Sequence, residues 1–384
     1  MTGFWVSAIV FALALHALVR LHFGLKTVQQ LSAIADGVGA DAPRVSVIVS
    51  ALNEAVTIEP ALRSLLALDY PHLELIAIND RSTDNTGAIM DRLAQGQPRL
   101  RVIHISELPA GWLGKNHALH VGAEAATGDY LLFTDADVLF EPRALRRAIT
   151  HCEQARLDHL VVMAELTVRE HLLAALLLNL FSLMFAATPP WRVRSSSTAY
   201  MGMGAFNMVR AAAYRQAGGH AALRLEVVDD IMLGKRMKQN GFRQDVLMGL
   251  NTVTLEWYKN TAEFARGVEK NSFAMVGYSV ARMVAGTALL GLMRYWPIAG
   301  LFVTHGASWW LNLGAVVALL MMQVKILRLT AWSRRCLWWW PASAAIMLYI
   351  NWRGVILTLL RRGINWRGTF YPLAELRRAR REKG

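Results

Sequence analysis

Leu131-Leu132-Phe133-Thr134-Asp135-Ala136-Asp137-Val138-Leu139-Phe140, LLFTDADVLF, sets two carboxylates one residue apart into an otherwise apolar run. The apolar part reads as a buried strand. An unpaired buried carboxylate is costly, so something cationic is expected against these two. Residues two apart in a strand point the same way, which lets Asp135 and Asp137 face one partner, an arginine or a metal ion.

The neighbouring sequence places this stretch in an alternating pattern. Val45–Ser50 (VSVIVS), Leu73–Asp80 (LELIAIND), Leu100–Ile105 and Tyr130–Asp135 read as buried strands. Helical stretches lie between them, at about Val56–Leu68, Asp84–Ala94 and Lys115–Ala126. Alternation of this kind predicts an α/β domain with a parallel sheet that binds ligands beyond the carboxyl ends of its strands. Asp80 and the Asp135/Asp137 pair both fall at such ends.

Composition indicates that this domain is not the whole of the molecule. The 384 residues are 54% hydrophobic and only 18% charged, with a mean hydropathy of +0.29. That is too apolar for an ordinary soluble enzyme and too charged for a pure membrane bundle. Lys+Arg 41 against Asp+Glu 28 gives a net charge of +13. With no nucleic-acid motif and with basic residues crowded beside apolar segments, the charge points to a membrane surface. Cys152 and Cys336 stand far apart without metal-ligand spacing, which excludes a zinc site or a disulfide framework.

Phe4–Phe23 is about long enough to cross a bilayer, and residues 1–26 read as a transmembrane anchor. Arg20 and Lys26 at its end place the following domain, 44–271, in the cytoplasm. Leu172–Ala187 is apolar but short; a helix lying in the membrane interface fits it better than a crossing, with a buried core helix close behind. Residues 273–360 read as a C-terminal membrane region with apolar runs at roughly Met275–Met293, Trp296–Met322 and Leu337–Leu360. Lys325, Arg328, Arg334 and Arg335 should be cytoplasmic. The last run contains Pro341, Asn351 and Arg353, and a simple crossing would export the basic tail 361–384. A hairpin or an interfacial element is therefore expected there, with a cytosolic tail.

Several stretches carry chemistry. Asn53 and Glu54 follow the first strand. Asp80 follows the second and can accept hydrogen bonds from a base or ribose, while Ser82 or Thr83 can cap the next helix. Lys115, in Gly111-Trp112-Leu113-Gly114-Lys115-Asn116, stands at a helix start suited to phosphate, though taken in isolation a solvated lysine in a flexible loop is the better account. At the end of a central strand, Asp135 and Asp137 suit a divalent Mg or Mn ion bridged to phosphates better than a salt bridge. Asp229 and Asp230 open a helix, where acids serve either as dipole partners or as a general base.

Taken in order, SALNEA (50–55), NDRSTDNT (79–86), GWLGKNHAL (111–119), TDADV (134–138), MGMGAFNMVRAAAYRQAGG (201–219) and DDIMLGKRMKQNG (229–241) resemble family 2 glycosyltransferases. The resemblance runs from about Arg44 to Arg243. GWLGKNHAL, the flanking membrane segments and Asn365–Tyr371 (NWRGTFY) look closer still to the hopene-associated and carotenoid-acid (diaponeurosporenoate-type) branch, with ceramide glucosyltransferases as more distant relatives.

The resemblance implies an A-type glycosyltransferase fold, Rossmann-like with a mostly parallel sheet. It also implies inverting transfer of one sugar from a nucleotide sugar, a UDP-sugar, to a lipid acceptor. By motif position Asn53, Glu54, Asp80, Lys115 and Asp135 would bind the donor, Asp135 and Asp137 would hold the metal, and Asp230 would be the base. Asp229 stands where the family's usual pair has glutamate. The Q-x-x-R-W motif of processive members is missing, with Glu269-Lys270-Asn271 near its place, which argues for a single transfer. The rival readings are a nucleotidyltransferase, disfavoured because Ser50–Ala55 has no glycine, and a catalytically degenerate membrane scaffold.

Overall fold

The structure is a computed structural model that describes residues 2–39 and 41–381. Met1 of the expected anchor and 382–384 of the expected tail lie outside the described residues. The chain forms two compact units. One comprises Val28–Thr167 with Pro190–Trp257; the other comprises the described residues up to Thr27, Val168–Pro189 and the residues from Tyr258 onward. Both Val168–Pro189 and the stretch following Tyr258 therefore group with the apolar helices.

In the first unit the strands are β1 (Val45–Ala51), β2 (Leu73–Asp80), β3 (Leu100–Ile105), β4 (Tyr130–Asp135), β5 (Leu139–Phe140), β6 (His159–Leu166), β7 (Asn207–Arg210) and β8 (Gln244–Leu255). Among the described residues they make one sheet in the order β3-β2-β1-β4-β7-β6-β8-β5. Strands β3, β2, β1 and β4 are parallel, as are β6 and β8, and β7 runs antiparallel between β4 and β6. Every residue of β1 is buried, which explains why it is apolar apart from the small Ser46 and Ser50: helices cover both faces of a parallel sheet. Ser50 pairs with Asp135 and Ala51 with Asn79, so the carboxyl ends of β1, β2 and β4 are level.

Two local expectations change. The strand carrying the acidic pair stops at Asp135, and Ala136–Asp137 form a turn, so alternation does not relate the two carboxylates. The helix after β2 begins at Thr86 without a side-chain cap from the preceding residue. Asp84 instead accepts the Thr86 N–H at 2.9 Å. Ser82 and Thr83 do not cap it because their groups bind the loop after β1, Ser82 Oγ accepting the Asn53 N–H at 3.0 Å and the Thr83 N–H donating to Asn53 Oδ1 at 2.8 Å.

Five helical segments among the described residues are long and apolar enough to cross a membrane: Gly3–Leu25, His171–Val193, Val280–Val303, Ala307–Leu327 and Arg334–Leu360; all lie in the second unit except the last four residues of His171–Val193. The break expected near 294–295 falls at 304–306. The helix continues through Arg294 and Pro297, and Gly306, at φ 58°, turns the chain. Trp340–Leu360 is one unbroken helix, which excludes a hairpin within it. Its polar residues are accommodated. Pro341 lies in the first turn, where no N–H is required. Asn351 Oδ1 accepts the Ser272 hydroxyl at 2.8 Å, and Arg353 pairs with Glu269. The helix His171–Ala187 is buried without a break over residues 173–179, so it is enclosed on all sides there; Asn179 donates to Ser343, and the Ser182 hydroxyl accepts from Gln323 at 2.9 Å. A short antiparallel hairpin, β9 (Gly363–Trp366) and β10 (Thr369–Pro372), then leads into the helix Leu373–Arg381.

Candidate active site

The level ends of β1, β2 and β4 bring the polar loops of the first unit to one edge. Asn53 sits at φ 57°, a conformation its short side chain tolerates. The two loops are cross-linked: the Glu54 N–H donates to Thr86 Oγ1 at 2.8 Å and the Ala55 N–H to Asp84 Oδ2 at 3.1 Å. Although burial opposes ionisation, hydrogen bonds from the Thr86 hydroxyl and amide and from the Ala55 amide hold the Asp84 carboxyl below its ordinary range.

Asp80 is fully buried, and Arg81 covers it. The Arg81 Nε and Nη2 reach its two oxygens at 2.8 and 3.2 Å, while the Arg81 side chain keeps 21% of its surface exposed. The sequence reading overlooked Arg81, whose signal is its place directly after the strand-end acid, at φ 59°.

Lys115 opens the helix Gly114–Ala125. Its Nζ lies 2.6 Å from Asp135 Oδ1 and 4.0 Å from Asp229 Oδ1. The cation beside Asp135 is thus a lysine. Burial works against its charge, but Asp135, Asp229 and Asp230 together hold the ammonium above its ordinary range. The adjacent Asn116, fully buried, fixes this geometry: its Nδ2 donates to the carbonyls of Leu223 and Glu226 at 2.5 and 2.9 Å. Asn116 thereby ties the lysine's helix to the loop leading into Asp229. Its polar side chain two residues into the helix was the available signal.

Asp229 and Asp230 begin the helix Asp229–Gln239 but differ in setting. Asp229 is 5% exposed. Burial pushes its carboxyl up to about 6, against the pull of Lys115 and with the charges of Asp230 and Asp135 adding to the rise. Asp230 is half-buried; its Oδ2 accepts the Gly204 N–H at 2.9 Å and its Oδ1 the Ile231 N–H at 2.8 Å. Gly204 also accepts the Asp135 N–H at 3.0 Å through its carbonyl, so one residue spaces the β4 acid from the helix acid. A Cβ on Gly204 would lie 2.4 Å from Asp135 Oδ2, and one on Gly202 would lie 1.8 Å from the Asp230 carbonyl oxygen. The alternating glycines of Met201-Gly202-Met203-Gly204 are thus required by close approach. Asn207, on β7, adds a bond from Nδ2 to the Asp230 carbonyl at 3.3 Å.

Asp137 is the residue still lacking a partner. Its Oδ1 is buried and unbonded, and burial, then the charges of Asp135 and Glu54, push the carboxyl up to about 7. An orphaned acidic oxygen beside a second carboxylate fits a divalent cation. No group of three or more His, Cys, Asp or Glu residues among the described residues could hold one. Two carboxylates suit an ion such as Mg that completes its shell with substrate phosphates and water.

Comparison with known proteins agrees with this architecture. Residues 46–179 match the family model described as Glycosyl transferase family 2. The probable glycosyltransferase YdaM of Bacillus subtilis is 36% identical over 97 residues, 25% of this chain and 23% of that protein. The beta-monoglucosyldiacylglycerol synthase of Synechocystis is 35% identical over 111 residues, 28% of this chain and 23% of that protein. The chain therefore matches about a quarter of the length of each of these relatives. Among solved structures, the mannosyltransferase PcManGT from Pyrobaculum calidifontis, in complex with GDP-Man and Mn2+, superposes with a TM-score of 0.52 at 17% identity, over 93% of this chain and 99% of that one. The chain has the A-type glycosyltransferase fold, and its residues 46–179 carry the family 2 glycosyltransferase pattern.

Proposed function

We propose that this chain is a membrane-associated, inverting glycosyltransferase that moves a single sugar from a nucleotide-sugar donor, a UDP-sugar, to a lipid hydroxyl or carboxyl at the cytoplasmic face. The observation that carries the reading is the convergence of Lys115, Asp135, Asp137, Asp229 and Asp230 at the carboxyl edge of the sheet, with Lys115 bridging acids from two separate elements. The apolar helices of the second unit support a lipid acceptor, and the diacylglycerol-modifying relative from Synechocystis supports it further. Within the family, the NWRGTFY stretch favours the hopanoid and carotenoid-acid branch.

In this proposal Asn53, Glu54 and Asp80 hold the donor, Asp80 through the Arg81 guanidinium that covers it. Asp135 and Asp137 would hold Mg or Mn; a bound ion there supplies positive charge to the departing diphosphate. Lys115 adds a second positive charge at the same place, most valuable as the nucleoside diphosphate gains charge in the transition state. Asp230 takes the proton of the acceptor. The Gly204 and Ile231 amides fix its orientation, and its greater exposure than Asp229 leaves it open to an incoming hydroxyl. Attack on the face opposite the leaving group inverts the anomeric centre.

A panel of nucleotide sugars, each incubated with the purified chain, a lipid extract and Mg or Mn, tests the reading through release of nucleoside diphosphate. One donor should be turned over faster with lipid than without. If no donor is turned over under any condition, the enzymatic reading fails.

A further inference from the structure

A second concave site lies wholly within the helical unit, apart from Lys115 and the acids of the candidate active site. It is a cavity of about 340 Å³ between the helix Thr261–Met275, the end of the helix Trp340–Leu360 and strand β9. Close approach of the two helices builds it. A Cβ on Gly354 would lie 2.5 Å from the Glu269 carbonyl oxygen, and one on Gly267 would lie 2.4 Å from the Tyr258 ring.

The charges of its lining do not cancel. Arg266, Lys270 and Arg361 face Glu263 and Glu269. Glu269 is already paired with Arg353. Glu263 accepts the backbone N–H of Lys259 at 2.9 Å. Lys270 lies 4.7 Å from the centre of the Trp366 ring, so a cation and an aromatic face form one wall. The net character is positive. The cavity also lies where a long apolar helix ends in Arg361 and Arg362, both exposed. Apolar surface followed within one turn by cations and an aromatic ring matches an amphiphile at a membrane boundary.

We propose that this cavity binds the phosphate-bearing headgroup of an anionic membrane phospholipid, with Lys270 and Arg361 on the phosphate and the Trp366 ring beside the headgroup. The site goes beyond the transfer reaction and does not depend on it. A neutral zwitterionic lipid lacks the net charge these residues match, and free phosphate lacks the chains.

Native mass spectrometry of the full-length chain in detergent, titrated with phosphatidylglycerol, phosphatidylcholine or inorganic phosphate, tests this. One phosphatidylglycerol should be retained about tenfold more tightly than phosphatidylcholine, and inorganic phosphate at equal concentration should not displace it. The double variant Lys270→Ala/Arg361→Ala should bring phosphatidylglycerol retention down to the phosphatidylcholine level. The charge-matched variant Arg99→Ala/Arg101→Ala, altered at exposed positions of the other unit, should retain it as the parent does. Should the double variant fail to fold, Arg361→Gln at its exposed position should show the same loss in smaller degree. Equal retention of the two lipids, equal losses in both double variants, or displacement by inorganic phosphate would each overturn the proposal.

Discussion

Asp137 shows how far a single residue can be read. The sequence demanded a cation for the pair it shares with Asp135, and Lys115 supplies one to Asp135 while Asp137 Oδ1 stays unbonded. Sequence could not reveal that division, because Lys115 comes from another element and the turn at Ala136 ends the strand alternation. Asp137→Ala should abolish transfer while leaving expression and membrane insertion near normal; full activity of the parent in excess chelator would sink the metal assignment. At the helix pair, Asp230→Asn keeps size and polarity but cannot take a proton. Donor binding should survive and the transfer rate should fall by roughly a hundredfold or more. If steady-state kinetics show Asp229→Asn to be the damaging change and Asp230→Asn to be mild, the base is the buried neighbour. Asp80 was legible as an acid at a strand end, and the only sign of its cover was the arginine that directly follows it.

At the scale of elements, β2, β3 and β4 have the bounds their apolar runs predict; β2 and β4 lie inside the sheet and are mostly buried, where few polar residues are tolerated, while β3 is a half-exposed edge strand. Helix starts and loop contacts were less legible. The Ser82 and Thr83 cap failed because both groups bind Asn53 across the loops, a long-range contact with no local signature. The Met201–Gly204 loop is the other such case. Gly204→Ala would drive a Cβ into Asp135, which should cost about 1–3 kcal/mol of stability and also depress transfer, read by thermal melting beside an activity assay. Between β6 and β7, the buried His159 bonds Asn207. Burial lowers its imidazole to about 4, with Lys238 adding to the drop and the Asn207 bond opposing it. It stays neutral in the fold while the unfolded chain takes up a proton below its ordinary value of 6.5. Its contribution is therefore complete above that pH and is lost as pH falls from there towards 4, at about 1.4 kcal/mol per pH unit. Melting of the detergent-solubilised parent should decline more steeply than that of His159→Gln over this interval; parallel declines would show that the imidazole titrates normally.

For the whole molecule, composition announced a hybrid, and the chain does divide into an α/β unit and a helical unit. The ends of the apolar helices were harder to read, since the break expected at 294–295 lies inside one helix that continues through Arg294 and Pro297. Helix Trp340–Leu360 accommodates Asn351 and Arg353 through Ser272 and Glu269, so its polar residues no longer argue against a crossing. The basic end, Arg377 to Arg381, still favours an anionic inner leaflet, at roughly a kcal/mol per residue near the surface. Ala379→Cys, in a background lacking Cys152 and Cys336, should resist a membrane-impermeant thiol reagent in intact cells and react once the membrane is opened; labelling in intact cells would place that end outside. The central claim, that this catalytic edge glycosylates a lipid, meets its most direct test in the lipids themselves. Mass spectrometry should compare lipid extracts from cells producing the parent chain, cells producing Asp230→Asn at equal level, and cells producing neither. The account predicts a lipid one sugar unit heavier than its precursor in the parent cells alone, with the precursor accumulating in the other two. Identical lipid profiles in all three would contradict it.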